Sequence, residues 1–549
     1  MDDINEYQLR KEIMMRKLKI VLISFYLLFA TMLTTYAYEA FQGPTELIQY
    51  NPAKAYNGYT LFSPFRGKNT YLIDMYGNVV HMWPYPEGWS APTSSQVSQE
   101  TVEKHARLLE DGTLLRGTIN RAAGESGATY LLYDWGGNVI WQYKDPRKDH
   151  SAHHDFRMIW NSKLKARTLM FVSSRKLSHE EAINLGCDPK SRVDYTSAPD
   201  GIVEVDMDGN VIWEWNISDH LIQDINPDAA NYVEKGKMIA DYPGKLDPNF
   251  GGGRTGDWIH TNSFDYNEVL DHIVINNSSD SEFYVVDHGA TFIPGNAKKS
   301  IELAAGEAGD FIFRWGNPCV YDSGDCPSIT NEGIGSSNGH QQLFFTHDIQ
   351  WIREKEITPM KWELPGAGHF LIFDNGTRRP GETYSSVLEI NPYDMDWRKG
   401  VYIPEVKAGY NQTDVEFHQP TPQSISKQIQ WSYRSTLPNA FYGHYISGCQ
   451  RLPNGNTLID SGPHGHFFEV TKEGEVVWEY INPVGDQTEG DYGIYKIITD
   501  GAGARFNSVF RCHRYSFDYP GLVGKDLTPK GKITEIHAKE PAGPSYVEP

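Results

Sequence analysis

The sequence is poor in cysteine. Five stand in 549 residues and none form a CxxC pair, so neither a zinc ribbon nor a thioredoxin-type redox site is indicated. Positive charge is also short: 50 Lys and Arg against 71 Asp and Glu leave a net charge of −21. Such a surface repels nucleic acid and anionic membranes, so no polynucleotide partner is expected. A site for a small anion would need positive charge gathered locally. Long amphipathic helices are scarce, and "LSHEEAINLGC" from Leu177 to Cys187 is a short helical candidate. Long hydrophobic runs are missing except near the N-terminus. There Arg16, Lys17 and Lys19 precede an apolar stretch from Ile20 to about Leu33, then small residues near Ala37. That is the layout of a secretory signal, and about fourteen apolar residues are short for a membrane span. An uncleaved membrane anchor is the alternative. No Cys follows the apolar stretch, which argues against a lipoprotein.

What is present is aromatic and turn-rich: 14 Trp, 32 Tyr and 50 Gly. A phrase repeats. "YLIDMYGNVVHMWPY", "YLLYDWGGNVIWQY", "IVEVDMDGNVIWEW" and "FFEVTKEGEVVWEY" each join two apolar runs across a Gly-containing turn and close on Trp-x-aromatic. That is a β-hairpin signature. Two degenerate copies, "EFYVVDH" with "GDFIFRWGNP" and "SSVLEINP" with "KQIQWSY", fill the gaps. The closing residues are then Trp83, Trp141, Trp213, Trp315, Trp431 and Trp478. Phrases such as "HARLLEDGTLL", "GAGHFLIFDNG" and "CQRLPNGNTLI" supply further strand pairs upstream. About four strands per unit and six units predict an all-β chain, a six-bladed β-propeller with long inter-strand loops. The loops fall at Asn216 to Gly256 and Asp287 to Gly309. The domain reading is a signal peptide or anchor over 1–37 and one propeller over 38–549.

Histidines recur at or just before the first strand of the units: His105, His153, His154, His260, His347, His444 and His513. First strands line a propeller's channel, so these residues converge on the axis although 50 to 100 residues often separate them. Taken singly, each is better read as a core or loop histidine. In register, they suggest either a metal site or a polyhistidine anion site with a nucleophilic member. Arg378 and Arg379, after the turn in "FDNGTRRP", favour a tetrahedral oxyanion over a divalent cation; two surface arginines are the alternative. Asp155, Asp257 and Asp348 stand where they can orient an imidazole or cap a turn. Cys319 and Cys326 flank the turn-rich "VYDSGD". They fit a disulfide in an oxidising compartment, or two reduced thiols.

The blocks "DWIHTNSFDYNEVLDHIVINNSSDSEFYVVDH", "FRWGNP", "FTHDIQWI", "GHFLIFDNGTRRPGETYSSVLEINP" and "SGCQRLPNGNTLIDSGPHGHFFEVTKEGEVVWEYINP" resemble bacterial arylsulfate sulfotransferases that do not use PAPS. The resemblance runs from about Tyr71 to Gly524. It implies a periplasmic or secreted six-bladed propeller. Its implied reaction moves a sulfuryl group from a phenolic sulfate ester to a phenol, with no cofactor, metal or nucleotide. It implies catalytic roles for His260, His347, Arg379 and His444, with His444 as nucleophile. Arg378, Asn375 of the "FDNG" block, His154 as proton carrier and Trp258 as an aryl-stacking face complete the expected substrate contacts, with Trp258 equally readable as core. The Cys319–Cys326 loop and the Glu354 to Glu363 stretch read as insertions that reshape the channel mouth. A binding propeller without turnover and a metal-dependent enzyme on the histidine ring are the competing classes. Membrane attachment through an uncleaved signal and a homodimer are left open.

Overall fold

A computed structural model describes residues 45–65, 69–84, 105–119, 128–190, 199–252, 257–328, 337–353, 364–381, 383–392, 415–418, 423–426, 428–436, 440–485, 496–497 and 507–537. The segment read as signal or anchor and the stretch Glu354 to Glu363 lie outside them. Everything below belongs to the unit Phe41–Pro549.

Six four-stranded antiparallel sheets form the blades of a propeller, and one of them gains a fifth strand. Blade 2 runs from inner to outer edge as Ala106–Leu108, Leu114–Ile119, Ala128–Tyr133 and Val139–Lys144. Blade 3 is His150–Asn161, Ala166–Arg175, Asp200–Val205 and Val211–Asn216. Blade 4 is Phe264–Asn267, His272–Asn277, Glu282–Asp287 and Phe313–Trp315. Blade 5 is Thr346–Trp351, Phe370–Asp374, Ser386–Ile390 and Ile429–Tyr433. Blade 6 is Gly448–Arg451, Thr457–Ser461, His466–Val470 and Val476–Ile481, with Glu46–Tyr50 added at its outer edge.

Blade 1 departs from the expected run of four consecutive strands. Its three outer strands, Gly58–Pro64, Asn69–Ile73 and Val79–Pro84, come from the start of the chain, but its inner strand is the late Val509–Ser516. Leu61 pairs with His513 and Thr60 with Arg514. The two ends of the chain therefore close the ring twice, at the inner edge of blade 1 and the outer edge of blade 6. Closure packs blade 1 against blade 6, so each blade lies between two neighbours and only short outer edges remain.

Local chemistry explains the repeated hairpins. In blades 1 to 3 an Asp carboxylate accepts from the backbone and side chain of an Asn four residues on. Asn78 reaches Asp74 at 2.9 and 3.0 Å, and Asn138 reaches Asp134 at 2.8 Å by both routes. Gly77 and Gly137 between them sit at φ +80° and +86°, where a side chain would be strained. The third strands Ala128–Tyr133 and Asp200–Val205 are buried at every position. A blade sandwiched between two others has no solvent face, so the strand reads as a continuous run rather than an alternation.

The six closing tryptophans peg each blade to the next. Trp83 Nε1 donates to the Asp134 carbonyl, Trp141 to Met207, Trp213 to Thr291 Oγ1, Trp315 to Gln428 Oε1, Trp431 to Lys472 and Trp478 to Met75, at 2.8 to 3.3 Å. The last of these returns from blade 6 to blade 1. The predicted helix appears as His179–Asn184, capped by Ser178 and Glu181. The excursion after blade 4's third strand folds into His288–Thr291 and Ala297–Ala304, the latter packed on the outer strand of blade 3. Cys319 and Cys326 form a disulfide, while Cys187, Cys449 and Cys512 are buried outside it.

Candidate active site

The entrances to four inner strands share an unusual backbone. His154, His260, Asp348, and the pair Ile446 and Ser447 all have positive φ, at +53°, +47°, +54°, +44° and +95°. Non-glycine residues hold such angles at a cost, and they cluster where a structure must aim a side chain. In blades 3 and 5 the strand register breaks at these residues, between His153 and Phe156 and between His347 and Gln350. The bulges re-aim the His-Asp pairs His154–Asp155 and His347–Asp348.

The imidazoles meet as follows. His153 Nε2 lies 3.0 Å from Asp200 Oδ1, and its Nδ1 lies 2.6 Å from His154 Nδ1. With Nε2–H given to the carboxylate, a neutral His153 accepts at Nδ1. His154 then carries its proton on Nδ1, and Nε2 is its lone-pair nitrogen. The His154 ring crosses that of His260 edge to face, with centroids 4.6 Å apart. Burial, reinforced by His260, pushes the His154 pKa well down. His260 behaves differently. Its Nδ1 lies 2.5 Å from Asp257 Oδ2 and its backbone N–H donates to the same carboxylate. Burial opposes its charge, but the Asp257 hydrogen bond and charge raise the pKa overall. One mouth therefore holds a neutral imidazole against one biased toward the cation.

His347 is 2% exposed, and burial pushes its pKa down to about 3. Its Nδ1 lies 2.7 Å from Asn375 Oδ1. The orientation of that amide is fixed, because Asn375 Nδ2 donates to the carbonyls of Gly443 and Ile446 at 2.6 and 2.9 Å. His347 must then donate from Nδ1, leaving Nε2 as an acceptor.

His444 is exposed in the loop before blade 6, not on its strand. Its carbonyl accepts from Thr377 Oγ1 at 2.7 Å, and its ring meets Tyr445 at 4.6 Å and forms no hydrogen bond among the described residues. Burial lowers its pKa, so the ring is neutral. Asn375 thus ties His347 to the loop carrying His444.

Arg379 is anchored rather than open. Its Nη2 bonds Asp374, and its guanidinium lies between the rings of Phe344 and Tyr384 at 4.4 and 4.3 Å. Arg378 beside it is exposed at φ +67°. Trp258, expected to stack on an aryl ring, is 2% exposed within the main core. His105 is fully buried, stacked on Phe156 at 4.1 Å, and its pKa falls to about 3 through burial. His513 lies further along its inner strand. Both stand apart from the mouth cluster.

Sequence reasoning missed the central cation. Arg511, on the inner strand of blade 1, is buried at the axis. Nη1 lies 2.9 Å from Asp155, Nε 3.0 Å from Asp348, and Nη2 donates to the Asn262 carbonyl at 3.1 Å. One guanidinium joins blades 1, 3, 4 and 5. The run "SVFRCHRYSF", left over after the sixth hairpin, was the available signal. Asp460 stands near this group with neither carboxylate oxygen hydrogen-bonded among the described residues, and burial with Asp348 pushes its pKa well up. Among the described residues, no group of three or more His, Cys, Asp or Glu is arranged to hold a metal ion.

Fold and mouth define a propeller protein with an imidazole-lined axial site. The sequence matches the family model Arylsulfotransferase (ASST) over residues 48–493, and the chain belongs to that family. Membership makes it an aryl-sulfate sulfotransferase, with phenolic sulfates as substrates. No curated protein matches the chain. Solved structures similar to it include a protein of unknown function from Bacteroides caccae, 9% identical, covering 83% of this chain and 98% of that one at a TM-score of 0.33. A streptogramin B lyase is 8% identical, covering 86% and 94% at 0.31. A protein from Lactobacillus plantarum is 8% identical, covering 84% and 100% at 0.32.

Proposed function

We propose that the protein transfers the sulfuryl group in two steps through a sulfohistidine, without PAPS or metal, in the periplasm or outside the cell. In the first step a ring nitrogen of neutral His444 attacks sulfur. The N–S bond forms, the S–O(aryl) bond breaks, and phenolate leaves with the bonding pair. Covalent capture splits one difficult displacement into two easier ones. His260, biased toward imidazolium, donates to the sulfuryl oxygens, and Arg378 adds exposed positive charge on the neighbouring loop. In the second step an acceptor phenol gives its proton to His154 Nε2. Its oxygen attacks sulfur, and the N–S bond breaks to restore His444. Asp200 and His153 stabilise the proton on His154 from behind. Arg379 acts through Asp374, holding the turn that carries Asn375 and Thr377.

The observation that carries this reading is the pairing of neutral and cation-biased imidazoles at one mouth. A second reading has its own support: the Asn375 clamp leaves Nε2 of neutral His347 as a lone-pair nitrogen, so His347 can be the covalent residue. One experiment separates them. The protein is exposed to 4-nitrophenyl sulfate without acceptor, its intact mass is measured, and the labelled peptide is mapped. One added sulfuryl group on His444 is expected. A label on His347 moves the nucleophile, and no label on a protein that turns over with phenol overturns the two-step mechanism.

A further inference from the structure

The six inner strands run in one sense, so their later residues face the channel end opposite the histidines. A cavity of about 960 Å³ opens there. The buried layer of Arg511, Asp155 and Asp348 lies between it and the imidazoles along the strands. The cavity floor is cationic. Arg157 and Arg353 share one carboxylate, Asp265, at 2.9 and 2.8 Å. Arg107 approaches Asp155 only to 4.0 Å, and Asp155 is already held by Arg511 at 2.9 Å. Four guanidiniums, of Arg107, Arg157, Arg353 and Arg511, thus meet three carboxylates, of Asp155, Asp265 and Asp348.

Buried donors lining this space without an acceptor among the described residues include Nε of Arg107, Nε of Arg451, Nη2 of Arg514 and the indole Nε1–H of Trp351, a residue 3% exposed. Leaving buried donors unmade is costly, and native structures rarely do so without an occupant. Aromatic rings complete the wall, among them Tyr266, Trp351 and Trp160, the last 52% exposed. Glu110 and Glu268 stand exposed at the rim, so a single negative charge is favoured over several.

We propose that this cavity is a second ligand site for an aromatic monoanion, a planar ring bearing one carboxylate, sulfonate or sulfate. The oxyanion accepts from Arg107 and from the Trp351 indole, and the ring lies against the aromatic wall. The assignment does not depend on the transfer chemistry at the other mouth.

The test uses the full chain and p-toluenesulfonate, whose sulfur is bonded to ring carbon and cannot be transferred. Calorimetric titration is expected to show saturable binding that weakens about 10-fold or more in Arg107→Gln. Binding also weakens in Trp351→Phe, and persists in the paired His260→Ala/His347→Ala variant. Neutral p-toluenesulfonamide is expected to bind far more weakly. Absence of binding to the unaltered protein overturns the proposal. So does binding that survives both the Arg107 and Trp351 substitutions, or that disappears only with the histidines. If Arg107→Gln loses its thermal unfolding transition, Trp351→Phe decides alone.

Discussion

Asn375 Oδ1 accepts from His347 Nδ1 at 2.7 Å while its Nδ2 holds the carbonyls on either side of His444. One buried amide therefore sets the tautomer of one histidine and the position of another.

Replacing Asn375 by Leu removes both functions. His347 loses its tautomeric preference and two buried carbonyls lose a donor. With 4-nitrophenyl sulfate and phenol, kcat/KM is expected to fall about 100-fold, the scale of a misplaced catalytic group. Steady-state release of 4-nitrophenolate checks this, and activity within a factor of two of the unaltered protein would refute the clamp.

His260 is biased toward its cation by Asp257, so its charge persists to higher pH than that of an ordinary histidine and is lost as pH rises through its raised pKa. If imidazolium donates to the sulfuryl oxygens, kcat/KM declines on the alkaline side. Asp257→Asn weakens the bias and should move that decline to lower pH. An alkaline limb that stays in place in the variant would remove His260 from this role.

The hairpins were legible because their determinants are local. Asp, Gly, Asn and Trp lie within about ten residues of each other, and all six tryptophans named from the sequence occupy outer or fourth strands. Ring closure was not, because Leu61 finds His513 across most of the chain and nothing near Leu61 encodes its partner. Arg511 was lost for the same reason. The histidines looked equivalent because strand position was visible but bulges were not. The positive φ values at His154 and Asp348 decide which side chains reach the mouth, and hydrophobic pattern does not report them. Trp258 shows the converse: an aromatic beside a site motif is as readily core, and this one is.

Outside the site, His288 bonds Asp271 at 2.6 Å and Glu204 at 3.0 Å, and Tyr266 also donates to Asp271. Burial opposes its charge, but the two carboxylates raise its pKa from 6.5 to about 9. A folded pKa above the unfolded value stabilises fully below pH 6.5, and the gain disappears as pH rises through about 9. A shift of this size corresponds to about 3 kcal/mol. Urea unfolding should show stability dropping by that order between pH 6.5 and 9.5, with His288→Gln lower at pH 6.5 and flatter across the range. A His288→Gln profile parallel to the unaltered protein's would show that the fall comes from other groups.

Arg511 carries the sharpest prediction for the fold. It arrives on the last strand and bonds Asp155 and Asp348, both buried, while its Nη2 reaches blade 4. Arg511→Met keeps the side-chain length and removes the charge. Asp348 then loses its guanidinium and keeps the Cys449 N–H at 2.9 Å, while Asp155 keeps the backbone N–H groups of Phe156 and Phe264 at 2.9 and 3.2 Å, with Arg157 and Arg107 only at 3.9 and 4.0 Å and His105 at 3.3 Å. Removing one partner of a buried ion pair costs about 3–5 kcal/mol, because the remaining charge stays desolvated. Adding Asp155→Asn and Asp348→Asn removes those charges and should recover part of the loss, a non-additivity expected of groups in contact. Urea denaturation of the single and triple variants measures it. A triple variant destabilised by the sum of its single substitutions would mean that Arg511 acts through packing alone, and a single variant as stable as the unaltered protein would mean that the axial ion pairs do not hold the ring closed.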